Sequence, residues 1–140
     1  MISVLGIPSQ EAFSWWPLVA KWCEQALECA GNLLTLDDVK EAVANRDMQL
    51  WVICEDEEAV AVCVTEIRSW PRTKVLTAII VGGAGMERWV GALDEVLVQF
   101  ARAQGCRVLD AHGRRGWLKS LSALGWKDMT VTYAKEIHHE

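Results

Sequence analysis

Apolar positions along this chain fall into runs whose period changes several times, and each change marks an element. Ile2 to Leu5 is a short apolar run that reads as an edge strand, with a turn over Gly6 to Ser9. Trp15, Val19, Trp22, Ala26 and Ala30 then recur at helical spacing. Ser14 stands where an N-cap belongs, Pro17 falls in the first turn where it is tolerated, and Gly31 follows as a stop. Thr35-Leu36-Asp37-Asp38 has the form of a capping box, because an acid three residues after the threonine can reach back to its amide. Leu36, Val39 and Val43 give that second helix one apolar face, ending near Asn45.

The pattern then becomes that of strands. Leu50 to Cys54 is one, and the acidic group Glu55, Asp56, Glu57, Glu58 is the turn behind it. Ala59 to Arg68 is a second strand, and Val75 to Val81 a third beyond a turn at Pro71. Short connections make these three antiparallel neighbours. The runs Ala59–Val64 and Val75–Val81 are apolar on both faces, as in strands covered by helices on both sides. Gly82-Gly83-Ala84-Gly85 leads into a helix with the stripe Trp89, Leu93, Val96, Leu97 and Phe100, and Gly105 ends it. Arg107 to Ala111 is the next strand. The long helix before it makes Val75–Val81 and Arg107–Ala111 a right-handed parallel β-α-β unit. Trp117, Leu118, Leu121 and Leu124 form a short helix closed by Gly125, and Asp128 to Ile137 is expected as a last strand.

No linker or repeat divides residues 1–140, so the expectation is a single domain, and a chain of this size buries roughly two-thirds of its unfolded surface without staples. The net charge of −5, with its basic residues scattered, points away from nucleic acid as a partner. No apolar run reaches the length of a membrane span, and the N-terminus lacks a signal pattern. The five cysteines, at 23, 29, 54, 63 and 106, fit neither a disulfide framework nor a zinc pattern, which indicates a reducing compartment. His138-His139-Glu140 is too short for a metal site. Eight tryptophans against one tyrosine is a skewed aromatic content; most should be core, with a few left for a protein partner.

The order of elements resembles that of the GNAT (Gcn5-related N-acetyltransferase) family from about Leu50 to Ile137. The resemblance rests on the junction Ile79-Ile80-Val81-Gly82-Gly83-Ala84-Gly85-Met86, on Gly105-Cys106-Arg107-Val108, and on Gly116-Trp117-Leu118-Lys119, Leu124-Gly125-Trp126 and Tyr133-Ala134-Lys135-Glu136-Ile137. Val64-Thr65-Glu66-Ile67, Trp70-Pro71-Arg72 and Gly113-Arg114-Arg115-Gly116-Trp117 are similar to pieces of the short GNAT-like proteins of tailed bacteriophages. The implied fold is α/β: a GNAT-like mixed sheet, antiparallel strands plus a parallel β-α-β pair, with helices on both faces.

That resemblance also implies a site. The third and fourth core strands would part to admit the pantetheine arm of acetyl-CoA, and its diphosphate would sit on amides at the start of the next helix. The residues placed there are Ile80, Val81, Gly82, Gly83, Gly85, Met86 and Arg88, with the acetyl group near Thr77 to Ile80. The glycines here are compressed relative to the family loop, and no basic residue precedes them. Glu87 competes with a phosphate for the same positive helix end, at about 0.7 kcal/mol for charges about 6 Å apart in water, while Arg88 offsets it. A ligand-free glycine turn is the alternative reading. The family's thiolate-protonating tyrosine is not matched, since Tyr133 lies near the C-terminus. The candidate catalytic residues are Glu66 and His112, with Asp110 beside them; a paired strand carboxylate and an exposed loop imidazole are the alternatives. Arg114 and Arg115 are candidates for contact with phosphate or an acidic partner, against a solvated turn.

Two functions of different class follow. One is an acetyl-CoA-dependent N-acetyltransferase with a small-molecule or protein amine as partner, in a cytoplasmic setting. The other is a non-catalytic GNAT-fold structural or assembly component of a bacteriophage virion, internal, portal or tail-associated. Its partners would be other virion proteins or a second copy of the chain. An acyl-CoA sensor without turnover is a third. No metal, nucleic acid or membrane is implied by any of them.

Overall fold

The computed structural model describes residues 1–113 and 116–138. Five strands form one sheet in the order β1-β2-β3-β4-β5. They are β1 (Ile2–Ile7), β2 (Gln49–Glu55), β3 (Glu58–Ser69), β4 (Lys74–Gly83) and β5 (Cys106–Ala111). The first four are antiparallel neighbours and β4–β5 is parallel. Helix α1 (Trp16–Cys29) and α2 (Leu36–Ala44) follow β1, α3 (Met86–Ala103) joins β4 to β5, and α4 (Trp117–Ser122) follows β5. This is the mixed α/β sheet that the sequence pattern predicts.

Alternation along the strands divides the core in two. Leu50, Val52, Val62, Val64 and Ile80 face α1 and α2, where Val19, Cys23, Val39 and Val43 are buried. Trp51, Ile53, Ala61, Cys63, Leu76, Ala78 and Val81 face α3 and its stripe Trp89, Leu93, Leu97 and Ala101. Both faces of the central strands are therefore covered, which is why their sequences carry no polar alternation. Trp51 meets Phe100 edge-on at 5.1 Å between ring centroids. Trp16, Trp51 and Trp89 are buried, Trp15, Trp22, Trp117 and Trp126 are half-buried, and Trp70 is exposed.

The capping box forms as read: the Asp38 amide donates to Thr35 Oγ1 at 3.1 Å, and the Thr35 amide donates to Asp38 Oδ2 at 2.9 Å. The β2–β3 hairpin closes through Asp56 and Glu57, both with positive φ, 52° and 72°. Two left-handed residues give the turn whose twist matches that of the flanking strands.

Four expectations need correction. Ser14 does not cap α1: it ends a 3-10 turn over Ser9–Ser14, where its hydroxyl donates to Glu11 O at 2.8 Å. The helix instead begins behind Trp15, and its buried stripe is Trp16, Val19, Cys23 and Leu27, turned by about one position from the stripe expected. Gly6 is inside β1, lying against the Trp51 ring, and not in a turn. Asp128 to Ile137 forms no strand: an ordered ladder needs a partner, and the outer edge of β5 carries none among the described residues.

Candidate active site

The site grows from an irregularity in β4. Val64 pairs with Ile80 and Thr65 with Ala78, so Ile79 is an extra residue, a β-bulge. Its effect is visible in the packing. Leu76 and Ala78 face α3, but Ile79 and Ile80 both turn to the α1/α2 side, and Val81 returns to α3. Such a kink re-aims a strand, and here pairing with β5 stops at the same place. The parallel ladder runs Lys74↔Cys106, Val75↔Val108, Leu76↔Leu109, Thr77↔Asp110 and Ala78↔Ala111, and there it ends. Ile79 to Gly83 continue past Ala111, the last residue of β5, without a strand neighbour, so the sheet edge steps back there into a fork-like notch.

On the α3 side, the fork opens into a narrow apolar cleft between β4, α3 and α4. Ala78, Val81, Met86, Val90, Ala111 and Trp117 are among its lining residues. Trp126 lines it too, its indole N–H held on Asp94 Oδ1 at 2.7 Å.

The glycine segment is shorter as a loop than expected, because Gly82 and Gly83 belong to β4. Both have packing reasons. A Cβ on Gly82 would lie 2.8 Å from the Trp22 carbonyl oxygen of α1. One on Gly83, at φ 136°, would lie 2.5 Å from Ala61 and from Val60 O on β3. Gly85, at φ 74°, is the helix N-cap and supplies no side-chain acceptor. Trp89 fixes this turn by donating its indole N–H to Ala84 O at 2.8 Å. In a trans peptide the next N–H points the opposite way, so the Gly85 amide is directed away from Trp89. The amides of Gly85, Met86 and Glu87 come before that of Arg88, the first to find an acceptor in the turn (Gly85 O, 2.8 Å), which makes the start of α3 a cluster of donors.

The electrostatics are less favourable to an anion. Arg88 lies against Gly85, but its Nε donates to Glu55 Oε2 at 3.2 Å and Glu87 is 3.7 Å from its Nη1. Two carboxylates thus share one guanidinium at the loop.

On the opposite sheet face, three polar residues stand in register across three strands. Glu66 pairs with Thr77, and Thr77 with Asp110. Paired residues point to the same side, and the flanking Leu76, Ala78 and Leu109 belong to the α3 side. The row lies one residue before the fork. Arg68 Nε donates to Glu66 Oε1 at 2.8 Å, so the paired-carboxylate reading of Glu66 holds. Thr77 and Asp110 emerge from the register and were not distinguishable by sequence as a pair. His112 is exposed, just beyond β5 and just past the fork. Ile80 is buried against α1 and α2, while Val81 and Met86 line the cleft. Arg114 and Arg115 lie outside the described residues, as do His139 and Glu140.

Solved structures carry the same architecture. A probable acetyltransferase superposes with a TM-score of 0.73 at 13% identity, with 99% of each chain covered. The chain has the GNAT acetyltransferase fold. The ribosomal-protein-alanine N-acetyltransferase of Brucella melitensis biovar Abortus 2308 gives 0.68 at 13% identity, over 98% of this chain and 100% of that one. An aminoglycoside acetyltransferase from an uncultured soil metagenomic sample, in complex with sisomicin, gives 0.70 at 9% identity, over 98% and 97%. No protein-family model matches the sequence, and no curated protein does. Within this GNAT fold Ala78 and Ala111 at the end of the β4–β5 ladder and Met86 at the start of α3 line the same apolar cleft.

Proposed function

We propose that the protein binds acetyl-CoA in the β4–β5 fork and transfers the acetyl group to an amine. The notch carries this reading: β5 ends at Ala111, opposite Ala78, and β4 runs on five residues further, to Gly83. A thin arm with amide groups fits there, because Ile79 to Gly83 offer backbone hydrogen bonds on the side that β5 vacates. Val81, Met86 and Trp117 would flank the arm, and the amides of Gly85, Met86 and Glu87 would receive the diphosphate, with Gly82 and Gly83 holding the turn in place. Acetyl-CoA supplies an activated thioester; the chain supplies orientation and a dry slot.

Glu66 or His112 would take a proton from the acceptor ammonium. The amine nitrogen then bonds to the thioester carbon, the C–S bond breaks, and the second N–H proton compensates the departing thiolate. A thiol of pKa about 8.5 leaves without a dedicated acid, so the lack of a tyrosine on α4 is tolerable. Calorimetric titration with acetyl-CoA into the millimolar range, followed by mass spectrometry of an amine panel, tests this. Saturable binding with acetylated product supports it, and the absence of binding refutes it.

A non-catalytic assembly role has its own observation, and a phage virion component is the form of it we favour. Met129, Val131, Tyr133 and Ile137 are 77%, 62%, 92% and 72% exposed, and they recur at even spacing. The outer edge of β5, with Val108 40% exposed, has no strand neighbour among the described residues. A second copy or a virion protein would complete that edge by strand addition. Concentration-dependent sedimentation, together with search for the chain at fixed copy number in purified particles, tests this reading.

A further inference from the structure

The scatter of basic residues along the sequence, which points away from nucleic acid, does not survive folding at one end of the sheet. From Ile67 to Met86, and again from Val96 to Leu109, the chain has no aspartate or glutamate, and Arg68, Arg72, Lys74, Arg102 and Arg107 fall in these two stretches. The strand registers bring them together. Across the β3–β4 hairpin Arg68 pairs with Val75 and Ser69 with Lys74. On the other side of β4, Lys74 pairs with Cys106 and Val75 with Val108, which leaves Arg107 between those two rungs. Arg102 stands in the last turn of α3, which ends there to feed β5. Arg68 is held by Glu66. Arg72, Lys74, Arg102 and Arg107 are exposed and make no ion pair among the described residues.

Trp70 stands on the same hairpin. It is the exposed one of the eight tryptophans, with 61% of its surface open. Its amide donates to Thr73 O at 2.9 Å and its carbonyl accepts from the Thr73 amide at 3.2 Å, so Pro71 and Arg72 are the two residues of a tight turn. Proline fixes one dihedral angle of that turn. The ring is therefore offered to solvent from a stiff support, with cations on either side. The acidic turn Glu55 to Glu58 lies at the opposite end of β3. A strand of 12 residues at about 3.3 Å each puts it roughly 36 Å away, several times the Debye length of about 8 Å at physiological salt. In register, the acids nearest the basic end are Glu66, already engaged by Arg68, Asp110 opposite Thr77, and Asp47 ahead of β2. A ligand arriving there meets a positive surface despite the net charge of −5.

We propose that this end of the sheet binds single-stranded nucleic acid, one base stacking on Trp70 and the backbone phosphates passing over Arg72, Lys74, Arg107 and Arg102. An aromatic ring beside free guanidinium and ammonium groups is what an unpaired strand needs, since every base has a face to stack and every phosphate a charge to neutralise. Other polyanionic surfaces fit less well. The centre of a protein interface is depleted of charge, and here four unpaired cations surround the ring. A membrane-seated tip draws its affinity from buried apolar area, and one indole beside one proline supplies little. In a duplex the base faces are already stacked on one another. The surface lies at the Lys74 end of β4, away from the notch at its Gly83 end, so its ligand is independent of acetyl-CoA.

Fluorescence anisotropy of a labelled single strand of about 12 nucleotides, as DNA and as RNA of the same mixed sequence, tests the site with the full chain. Saturable binding at low salt is expected. The logarithm of the affinity should fall against the logarithm of salt concentration with a slope of about −2 to −3, as for three or four phosphates neutralised at about 0.7 each. Trp70→Ala should weaken binding about fivefold or more. Arg72→Gln and Arg107→Gln should each weaken it and each reduce the slope by about 0.7. Lys21→Gln makes the same change of charge on α1 and should alter neither. A duplex of the same sequence should bind more weakly and be indifferent to Trp70→Ala. The substituted side chains are all exposed, so unchanged melting temperatures should accompany these effects. A preference for one strand type names the natural ligand. Failure of both strands to bind at low salt, binding indifferent to Trp70→Ala, or Lys21→Gln acting as strongly as Arg72→Gln would overturn the proposal. So would anionic lipid vesicles or polyglutamate binding more tightly than the oligonucleotide with the same dependence on Trp70.

Discussion

Replacing Gly83 with alanine separates what the glycines do for the fold from what they do for a ligand. At φ 136° a side chain is strained wherever it sits, at about 1–3 kcal/mol. The added Cβ would also lie 2.5 Å from Ala61 Cα and from Val60 O, both on the neighbouring strand. Nothing flexible can yield there, so β3 and β4 must move apart, at about 1–3 kcal/mol more. The sum, roughly 4 kcal/mol, is a large part of the about 5–15 kcal/mol that holds a domain of this size. Gly85→Ala differs. Its φ of 74° is the ordinary left-handed region, costing about 1–2 kcal/mol. The atoms it meets belong to the Arg88 guanidinium, the far end of a mobile chain. Urea denaturation of both variants, with slopes compared to the parent, reads the difference. Gly83→Ala should lose at least twice the stability that Gly85→Ala loses, and Gly85→Ala should show the greater relative loss of acetyl-CoA affinity. A Gly83→Ala protein within about 1 kcal/mol of the parent would show that the β3–β4 contact is looser than the geometry says.

Other expectations follow from single features. Glu57→Gly relieves a left-handed residue in the β2–β3 turn and should raise stability by about 0.5–1 kcal/mol, seen as a melting temperature a few degrees higher. Glu87→Gln removes a carboxylate from the α3 N-terminus, and about 0.7 kcal/mol of relieved repulsion corresponds to roughly threefold tighter acetyl-CoA binding at low salt, fading as salt is added. Burial pushes the Cys23 thiol up to about 12 and the Cys63 thiol higher still. Both thiols hold their protons in the folded chain above the pH at which they lose them unfolded. Stability should therefore be level below about pH 9 and fall above it, by up to about 1.4 kcal/mol per pH unit for each thiol, in denaturation curves taken from pH 8 to 10.5. Native-state alkylation at pH 8 should label Cys29 and Cys106 and spare Cys23, Cys54 and Cys63.

Local rules made much of the fold legible. The Thr35–Asp38 box, the Asp56-Glu57 turn and the α3 stripe each depend on residues within a few positions of one another. Ser14 misled because two local partners compete for its hydroxyl, and the 3-10 turn took it. The bulge at Ile79 was hidden for a different reason: apart from Thr77 the run Val75–Val81 is apolar, so two successive residues on one face leave no mark on the pattern. The Glu66–Thr77–Asp110 row was out of reach because it exists only once two registers are fixed, one antiparallel and one parallel. Asp128–Ile137 shows the converse limit. Its alternation is real, but alternation describes one strand, and a sheet needs a second.

Amide-resolved titration with acetyl-CoA addresses the fork most directly. Ligand entry there should move Ile79, Val81, Gly83, Gly85 and Glu87 together, with one dissociation constant, and leave the β1–β2 ladder still. Shifts confined to other surfaces, or none up to millimolar ligand, would mean that β4 and β5 part for reasons unconnected with a cofactor.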